Sequence, residues 1–203
     1  MRVFLIRHGQ TTGDIEDRYG GTYEDHLTQE GKKQAEKLAD KLSDKEIEKI
    51  FVSPRVRAIE TALIVAKKVH AKLETAKDMS ERNSYGVLTG MIKKEAKEKF
   101  PEEVEELEEN NPYHHVTNSE EYYAYTERML AQFNSIVESE FEEESEGIAF
   151  ITHGGPITII FREILGFEIR GIKDCAVFEL EFDGDGYEII SAVDLDSIEA
   201  GEK

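Results

Sequence analysis

Cysteine, long apolar runs and basic residues are all scarce in this 203-residue chain. Its one cysteine, Cys175, cannot form an internal disulfide, which excludes a small disulfide-stapled scaffold. No apolar run approaches the roughly 20 residues that a membrane-spanning helix needs. The amino terminus begins directly in an apolar strand pattern and has no signal-peptide pattern. We therefore expect a cytoplasmic protein that has no membrane partner.

The shortage of basic residues gives the chain a strongly negative charge. Lys and Arg number 25 against 44 Asp and Glu, for a net charge of −19. Such a chain repels nucleic-acid phosphates and anionic membrane surfaces, so neither is expected as a partner. Repulsion of a small phosphorylated substrate is screened beyond about 8 Å at physiological salt. A local cluster of arginines can therefore still bind phosphate inside a pocket.

Apolar strand patterns alternate with helical periodicity along the first part of the chain. The predicted elements, in chain order, are a strand at 3–6, a helix at 29–43, a strand at 49–53, a helix at 54–69 and a short strand from 73. This alternation is typical of βαβ units and predicts an α/β fold with a mostly parallel sheet. The length fits one domain over residues 1–203.

The second half of the chain yields further predictions. Residues 90–111 have a charged helical pattern, and a long helix follows Ser119. The acidic run 138–146 is interpreted as a surface loop. A helix is expected from 156 to 166, a hairpin from strands 177–182 and 187–193, and a frayed tail after Asp196.

Two apolar strands each run into a histidine and then into glycine. The first strand leads into Arg7-His8-Gly9, and the strand 148–152 leads into His153-Gly154. The carboxyl ends of parallel strands meet at one edge of a sheet, where α/β proteins bind their ligands. We expect both histidines to lie at one crevice.

Further charged residues follow the other predicted strands at the same edge. Ser53, Arg55 and Arg57 come just after the second strand, and Glu81 follows the third. Arginine presents a rigid fork of donors that suits phosphate oxygens. A neutral histidine is a competent nucleophile near pH 7, and a protonated carboxyl can supply a proton to a leaving alcohol. The crevice is therefore predicted to bind phosphate and to support phosphoryl transfer.

Four motifs in this order resemble the histidine phosphatase superfamily, which has the phosphoglycerate mutase-like fold. They are Arg7-His8-Gly9, the tract Ser53-Pro54-Arg55-Val56-Arg57-Ala58-Ile59-Glu60-Thr61-Ala62, the region of Glu81, and Thr152-His153-Gly154. The tract Arg18-Tyr19-Gly20-Gly21 is similar to the family as well. The resemblance implies a three-layer α/β/α architecture around a mostly parallel sheet.

The resemblance also implies roles for individual residues. His8 would be phosphorylated during turnover, Arg7, Arg57 and His153 would surround the phosphate, and Glu81 would donate and accept the proton. Residues expected around the substrate are Gln10, Thr11, Asp14, Gly21, Thr22, Arg82 and Gly154. The family needs no metal, so no metal site and no cofactor are expected. Only if the protein is a mutase would 2,3-bisphosphoglycerate be needed, as a primer.

Two features depart from the family pattern. Gly13-Asp14 stands where many members have Trp-Asn, so a carboxylate replaces an amide that helps to hold phosphate. The segment from Glu81 to Gly86 is one residue longer than the similar Glu-Arg-His-Tyr-Gly of the glycolytic mutases. This difference weakens the transfer of mutase substrate contacts to Arg82 and Tyr85.

Three functions remain in competition at this point. The leading hypothesis is a metal-independent phosphatase that hydrolyses small phosphorylated metabolites through a phosphohistidine at His8. The alternatives are a 2,3-bisphosphoglycerate-dependent phosphoglycerate mutase, which would keep water from the phosphohistidine, and a non-catalytic member that binds a phosphorylated ligand. Residues 85–118 are expected to cover the active site. A homodimer formed through an edge strand is left open by the sequence.

Overall fold

A six-stranded sheet forms the centre of the molecule within residues 1–108 and 115–201, the part that the computed structural model describes. The strands in chain order are β1 (Arg2–Arg7), β2 (Lys49–Val52), β3 (Lys72–Thr75), β4 (Gly147–Thr152), β5 (Phe167–Arg170), β6 (Val177–Phe182), β7 (Tyr187–Ala192) and β8 (Ser197–Ala200). The central sheet has the order β3-β2-β4-β1-β6-β7, and β5 pairs with β8 separately. The first four strands are parallel and β6 and β7 are antiparallel, which confirms the predicted α/β class.

Helices cover both faces of this sheet. They are α1 (Thr12–Ile15), α2 (Gln29–Lys41), α3 (Val56–Val69), α4 (Lys93–Lys99), α5 (Pro101–Glu108), α6 (Tyr122–Glu142) and α7 (Gly154–Ile159). Short 3-10 turns occupy Lys77–Met79 and Gly86–Leu88. Among the described helices, none combines the length and the apolar character needed to cross a membrane.

The alternation of side chains along β1 divides the core in two. Val3 and Leu5 belong to the apolar cluster that packs against α6 and α7, whereas Phe4 and Ile6 belong to the cluster under α2 and α3. Successive strand residues point to opposite faces, so a strand that is buried on both faces must be apolar throughout. The three-layer arrangement expected from the sequence is therefore the one observed.

The central position of β1 and β4 brings the two histidine motifs together. The strands are parallel neighbours, and Arg7 is paired in register with Thr152. His8 and His153 are the next residues, so both begin loops at the same edge of the sheet. The backbone N–H of His8 donates to the Thr152 carbonyl at 3.1 Å, which fixes the two strand ends side by side.

The predicted helix over residues 90–111 is wrong as a single element. The chain forms two short helices, α4 and α5, and Phe100 separates them with a backbone that is not helical, at φ −136° and ψ 58°. A proline disfavours helical geometry in the residue before it and is itself well suited to a first helical turn. Pro101 therefore ends one helix and starts the next.

The acidic run 138–146 was predicted as a loop, but α6 extends through it to Glu142. Glu140 is buried, and its Oε1 lies 2.7 Å from the Nζ of Lys49. An acidic residue can stay inside when it is paired and hydrogen-bonded. Composition alone could not show that Lys49, on a distant strand, would supply that partner.

The chain after Asp196 was predicted to fray, and this was also wrong. Residues 197–200 form β8, which is antiparallel to β5. The edge of β5 presents backbone donors and acceptors that a partner strand satisfies.

The helix predicted over 156–166 begins at Gly154, becomes a π-helical turn over Ile160–Leu165, and stops at Gly166, whose φ of 75° is left-handed.

Candidate active site

The ends of β1, β2 and β4 bring the predicted catalytic side chains to one place. His8 and His153 follow β1 and β4, and their ring centroids are 5.1 Å apart. Arg57 lies in the first turn of α3, which follows β2. Glu81 comes after β3 and a 3-10 turn, and the Thr152 hydroxyl donates to the Met79 carbonyl at 2.6 Å, which ties that turn to the end of β4.

The ring of His8 is held in one orientation by its own loop. Its Nδ1 lies 2.8 Å from the Gly9 carbonyl oxygen, and because a carbonyl can only accept, Nδ1 carries the proton. Nε2 is then the nitrogen that carries the lone pair, and this lone pair accepts the Arg57 Nε–H at 3.1 Å. Burial, and next the positive charges of Arg57 and Arg7, lower the pKa of His8 well below its usual value. His8 is therefore a neutral imidazole near pH 7.

His153 has the opposite arrangement of ring nitrogens. Its Nδ1 accepts from the same Arg57 Nε–H at 3.2 Å, so its proton lies on Nε2, which donates to the Ser53 hydroxyl at 2.7 Å. The pKa of His153 is also lowered well below its usual value, first by burial and then by Arg57. The two rings thus present acceptor nitrogens to one arginine N–H.

Arg57 is nearly inaccessible and makes use of its whole guanidinium fork. Nη1 donates to the Tyr23 carbonyl at 2.8 Å and to Asp25 Oδ1 at 2.9 Å, and Nη2 donates to the Gly21 carbonyl at 2.8 Å. The side chains of Arg57 and Asp25 are 5% and 4% exposed. A buried ion pair of this kind holds its members firmly, because removing either partner leaves an uncompensated charge.

Arg7 is the last residue of β1 and directly precedes His8. Its Nη2 lies 3.1 Å from Asp174 Oδ1, and its Nη1 donates to the Ile172 carbonyl. These contacts fix the guanidinium at the end of β1, where it faces the cavity described below. Its charge contributes to the lowered pKa of both histidines.

Glu81 receives hydrogen bonds on both carboxyl oxygens. Oε1 accepts from the backbone N–H of Arg82 at 2.9 Å and from the Tyr125 hydroxyl at 3.3 Å. Oε2 accepts from the backbone N–H of Gly155 at 3.1 Å. A Cβ at position 155 would collide with the Glu81 carboxyl, so glycine is required where α7 passes this side chain.

The side chains surround a cavity of about 280 Å³. Eight of the twelve predicted site residues line it: Arg7, His8, Thr11, Asp14, Gly21, Arg57, Glu81 and Gly154. The volume accommodates a phosphoryl group with a small attached alcohol. These eight residues, which lie far apart in the sequence, are therefore brought together around one cavity.

The other four predicted residues lie around the cavity rather than on its wall. His153 contacts His8 and Arg57, as described above. The Gln10 side chain accepts from the Thr28 hydroxyl at 2.8 Å, and the Thr22 hydroxyl lies 3.4 Å from Asn83 Oδ1. Arg82 turns to the far side of Glu81, where it lines a second cavity of about 250 Å³.

Asp14, the residue that replaces an amide, has a structural partner. Its Oδ2 accepts from both the backbone N–H and the hydroxyl of Thr11, each at 2.8 Å, and this closes a capping box on α1. The carboxylate still lines the cavity. It therefore caps α1 and also places a carboxylate on the cavity wall.

Four side chains on the cavity wall are not among the predicted site residues: Arg18, Asp25, Tyr85 and Lys93. Arg18 and Ile92 form an isolated backbone bridge, and Lys93 N–H donates to the Asp17 carbonyl at 2.9 Å. This pairing places Arg18 beside Lys93, although about 75 positions separate them along the sequence. No local pattern indicates such a contact.

The segment expected to cover the site contributes part of this wall. Tyr85 and Lys93 face the cavity, and behind them Leu88, Ala96, Val104 and Val116 form a small apolar cluster. Residues 109–114 of the predicted cover lie outside the described residues.

In the remaining part of the chain, no group of three or more His, Cys, Asp or Glu side chains is arranged to hold a metal ion.

Comparison with known sequences places these motifs in a family. The sequence pattern of the histidine phosphatase superfamily (branch 1) matches residues 3–195. Over 150 residues, the chain is 30% identical to a 2,3-bisphosphoglycerate-dependent phosphoglycerate mutase of Pelagibacter ubique, with 66% of this chain and 62% of the mutase covered. It is 27% identical over 187 residues to a probable 2-carboxy-D-arabinitol-1-phosphatase of Arabidopsis thaliana, with 89% of this chain and 38% of that phosphatase covered. The matches thus span less than two thirds of the length of these two relatives.

A third relative bears on the need for a metal. The chain is 29% identical over 165 residues to a metal-independent phosphoserine phosphatase of Arabidopsis thaliana, with 80% of this chain and 68% of the relative covered. Metal-independent chemistry in the family agrees with the expectation that no metal is needed.

The fold is similar to solved structures as well. A phosphoglycerate mutase from Bacillus anthracis superimposes with a TM-score of 0.82 at 21% identity, with 95% of this chain and 92% of that one covered. At such identity the similarity supports the fold and not the substrate. The family pattern, which covers almost the whole length, supports the stronger conclusion: the chain belongs to the histidine phosphatase superfamily, branch 1.

Proposed function

We propose that this protein is a metal-independent phosphatase of small phosphorylated metabolites, with His8 as the nucleophile. The observation that carries the proposal is the single Arg57 N–H that faces His8 Nε2 and His153 Nδ1, at 3.1 and 3.2 Å. Both nitrogens have lone pairs, and both rings are fixed by contacts on their other nitrogens. Such a preorganised arrangement of acceptors and one cation suits a nucleophile that will bond to phosphorus.

In the first step, the Nε2 lone pair of His8 exchanges its hydrogen bond from the Arg57 Nε–H for a bond to phosphorus. The P–N bond forms while the ester P–O bond breaks, and Glu81 transfers its proton to the departing alkoxide. Arg7 and Arg57 stabilise the phosphoryl oxygens, because both carry positive charge into the cavity at positions fixed by other contacts. His153 contributes by accepting the Arg57 Nε–H at its Nδ1 and by packing against the His8 ring.

In the second step, Glu81 acts as a carboxylate base. It takes one proton from water as the water oxygen bonds to phosphorus and the P–N bond breaks. Inorganic phosphate leaves, His8 returns to the neutral imidazole, and Glu81 is again protonated. No metal ion enters either step.

Local charge supports a phosphorylated substrate despite the net charge of −19. The cavity wall carries four basic side chains, Arg7, Arg18, Arg57 and Lys93, against the three acidic ones Asp14, Asp25 and Glu81. Arg57 and Asp25 pair at 2.9 Å and offset each other, which leaves three basic side chains, Arg7, Arg18 and Lys93, against two acidic ones, Asp14 and Glu81. Arg18 and Lys93 at the outer wall suit a substrate whose alcohol part is also polar or anionic.

The mutase is the second candidate, and the identity of 30% to a phosphoglycerate mutase favours it. The two reactions share the first step, and differ in whether water or a second alcohol receives the phosphoryl group. We propose that residues 85–118 set this difference by covering the cavity, since Tyr85 and Lys93 already lie on its wall.

The test is a panel of phosphate esters assayed without added metal: phosphoglycerates, sugar phosphates, phosphohistidine peptides and p-nitrophenyl phosphate. We expect steady release of inorganic phosphate and no conversion of 3- to 2-phosphoglycerate. Efficient interconversion primed by 2,3-bisphosphoglycerate would establish the mutase instead. Binding of these esters without any turnover would point to a non-catalytic member, and a His8→Asn variant as active as the wild type would refute the mechanism itself.

A further inference from the structure

Tyr125 is a buried residue of α6 that reaches the carboxyl group of Glu81. Its side chain is 2% exposed, and its hydroxyl donates to Glu81 Oε1 at 3.3 Å. Its spacing along α6, with Met129 and Phe133, is that of a core residue. The aromatic ring does pack in the core, but the hydroxyl lies at the candidate active site.

The hydroxyl makes the two oxygens of Glu81 unequal. Oε1 accepts from Tyr125 and also from the backbone N–H of Arg82 at 2.9 Å, so both of its lone pairs are occupied. Oε2 accepts one bond, from the Gly155 N–H at 3.1 Å. The remaining lone pair of Oε2 is the position on this carboxyl where a transferable proton can reside.

The direction of the Tyr125 hydrogen bond follows from its environment. Burial, and next the charge of Glu81, raise the pKa of Tyr125 well above its usual value, while Arg128 opposes this shift. Tyr125 therefore keeps its proton at neutral pH and acts as the donor. The Arg128 guanidinium lies 4.9 Å from the centre of the Tyr125 ring, on the same helix, and holds that ring in place.

The segment that carries Glu81 is fixed to the same helix. Arg128 makes a two-pronged ion pair with Glu120, at 2.6 and 2.9 Å, and also donates to the Asp78 carbonyl at 2.5 Å. The backbone carbonyl of Glu120 accepts from Arg82 Nε at 2.8 Å. Residues 78–82 therefore move little relative to Tyr125, so the hydroxyl can hold Oε1 at a defined place.

We propose that Tyr125 is a positioning residue that occupies Oε1 of Glu81 and so makes Oε2 the atom that transfers the proton. This inference rests on the proposed function, in which Glu81 protonates the leaving alkoxide. Tyr125 contacts neither substrate nor phosphorus in this role; it acts through Glu81. Its effect must then depend on how much the leaving group needs a proton.

The experiment compares two esters whose leaving groups differ in acidity. p-Nitrophenolate leaves with little need of a proton, whereas the alkoxide of β-glycerol phosphate needs one. With Tyr125→Phe, we expect kcat on β-glycerol phosphate to fall about tenfold, with KM unchanged, while kcat on p-nitrophenyl phosphate stays within about twofold. Tyr187→Phe is the matched control, because it removes a hydroxyl from a partly buried tyrosine of β7 that packs against the core, and it should leave both rates unchanged.

A double variant separates positioning from simple structural damage. If Tyr125 acts through Glu81, adding Tyr125→Phe to Glu81→Gln causes no further loss on β-glycerol phosphate, because coupled residues are not additive. An equal loss on both esters, a further loss in the Glu81→Gln background, or no loss at all would overturn the inference.

The outcomes distinguish this inference from the proposed function. A wild-type protein that hydrolyses neither ester, or a Glu81→Gln variant that retains full activity on β-glycerol phosphate, would overturn the proposed role of Glu81 and the Tyr125 inference with it. An active wild type with an impaired Glu81→Gln variant and an unimpaired Tyr125→Phe variant would overturn the Tyr125 inference alone.

Discussion

The two strand ends that carry His8 and His153 have the same layout in sequence, but their rings are held differently. The Nδ1 of His8 is bound to a backbone carbonyl, that of Gly9, whereas the Nε2 of His153 is bound to a side chain, the hydroxyl of Ser53. As a result, the nitrogen without a proton, which accepts the Arg57 Nε–H, is Nε2 in His8 and Nδ1 in His153. The difference shows that the His-Gly motif sets the position of each histidine in the fold. The group that binds the protonated ring nitrogen decides which of the two nitrogens keeps a lone pair.

Replacing the two histidines separately should give the largest contrast. His8→Asn removes the only nitrogen that we assign as nucleophile, so turnover of p-nitrophenyl phosphate should fall by at least about 10⁴-fold. His70→Asn is a suitable control, because His70 is exposed at the end of α3, and its left-handed φ of 60° is one that asparagine accepts. A loss of less than tenfold in His8→Asn would contradict the assignment.

Arg57 is the contact that the two histidines share, so its removal should affect both. We expect Arg57→Gln to lower kcat by about 10²–10³-fold, the scale for loss of one preorganised donor to developing charge. The free energy of unfolding should fall by about 3–5 kcal/mol, because Asp25 is left buried without its partner. Chemical denaturation and steady-state kinetics measure the two effects. Adding Asp25→Asn should restore much of the stability and none of the activity, and recovery of both would show that Arg57 has a structural role alone.

His153→Gln tests whether the second histidine supports the phosphoryl group without bonding to it. We expect a loss in kcat of about 10²-fold, smaller than that of His8→Asn, because charge stabilisation is weakened while the nucleophile remains. Rapid-quench kinetics should still detect a phosphorylated protein in this variant. Complete loss of that intermediate would make the two histidines equivalent and would contradict the distinction drawn above.

The lowered pKa of both histidines predicts a pH dependence of stability. An unfolded histidine gains a proton as pH falls below about 6.5, whereas buried His8 and His153 remain neutral to well below that pH. The unfolded state then binds more protons, so the free energy of unfolding should decrease as pH falls below 6.5, by about 1 kcal/mol per pH unit for each histidine. Urea denaturation of the wild type and of His153→Gln between pH 5 and 7 measures the difference in slope. Identical slopes would contradict the assignment of a lowered pKa to His153.

Ser53→Ala should produce the smallest effect of the series. It removes the hydrogen bond at 2.7 Å that fixes the His153 tautomer and leaves His8, held by the backbone, unchanged. One such bond is worth about 1 kcal/mol, so kcat should fall by roughly fivefold. A loss as large as that of His153→Gln would indicate that the hydroxyl, and not the ring, carries the contribution.

Much of this arrangement could be predicted from the sequence because it follows from local patterns. The strand at 3–6 and the strand at 148–152 are apolar runs that end in His-Gly, and parallel strands put such ends at one edge. The location of Arg57 follows from the predicted helix after β2, because Arg57 lies in the first turn of that helix. These residues are near their strand ends in sequence, so local pattern and topology together locate them.

The rest depends on contacts between distant parts of the chain. Lys93 reaches the cavity through the pairing of residues 17–18 with 92–93, and Tyr125 reaches Glu81 from a helix more than 40 positions away. β8 exists because β5 offers it an edge. Tertiary contacts also decided the length of α6, where Lys49 balances the buried Glu140. No periodicity of the sequence carries this information.

The most direct test of the account is to find where the phosphoryl group bonds during turnover. The protein would be mixed with p-nitrophenyl phosphate, quenched within milliseconds under alkaline conditions that preserve phosphohistidine, and mapped by peptide mass spectrometry. We predict phosphorylation of His8 in the wild type and in His153→Gln, and none in His8→Asn. Phosphorylation of His153, or of any residue other than His8, would contradict the assignment of His8 as the nucleophile.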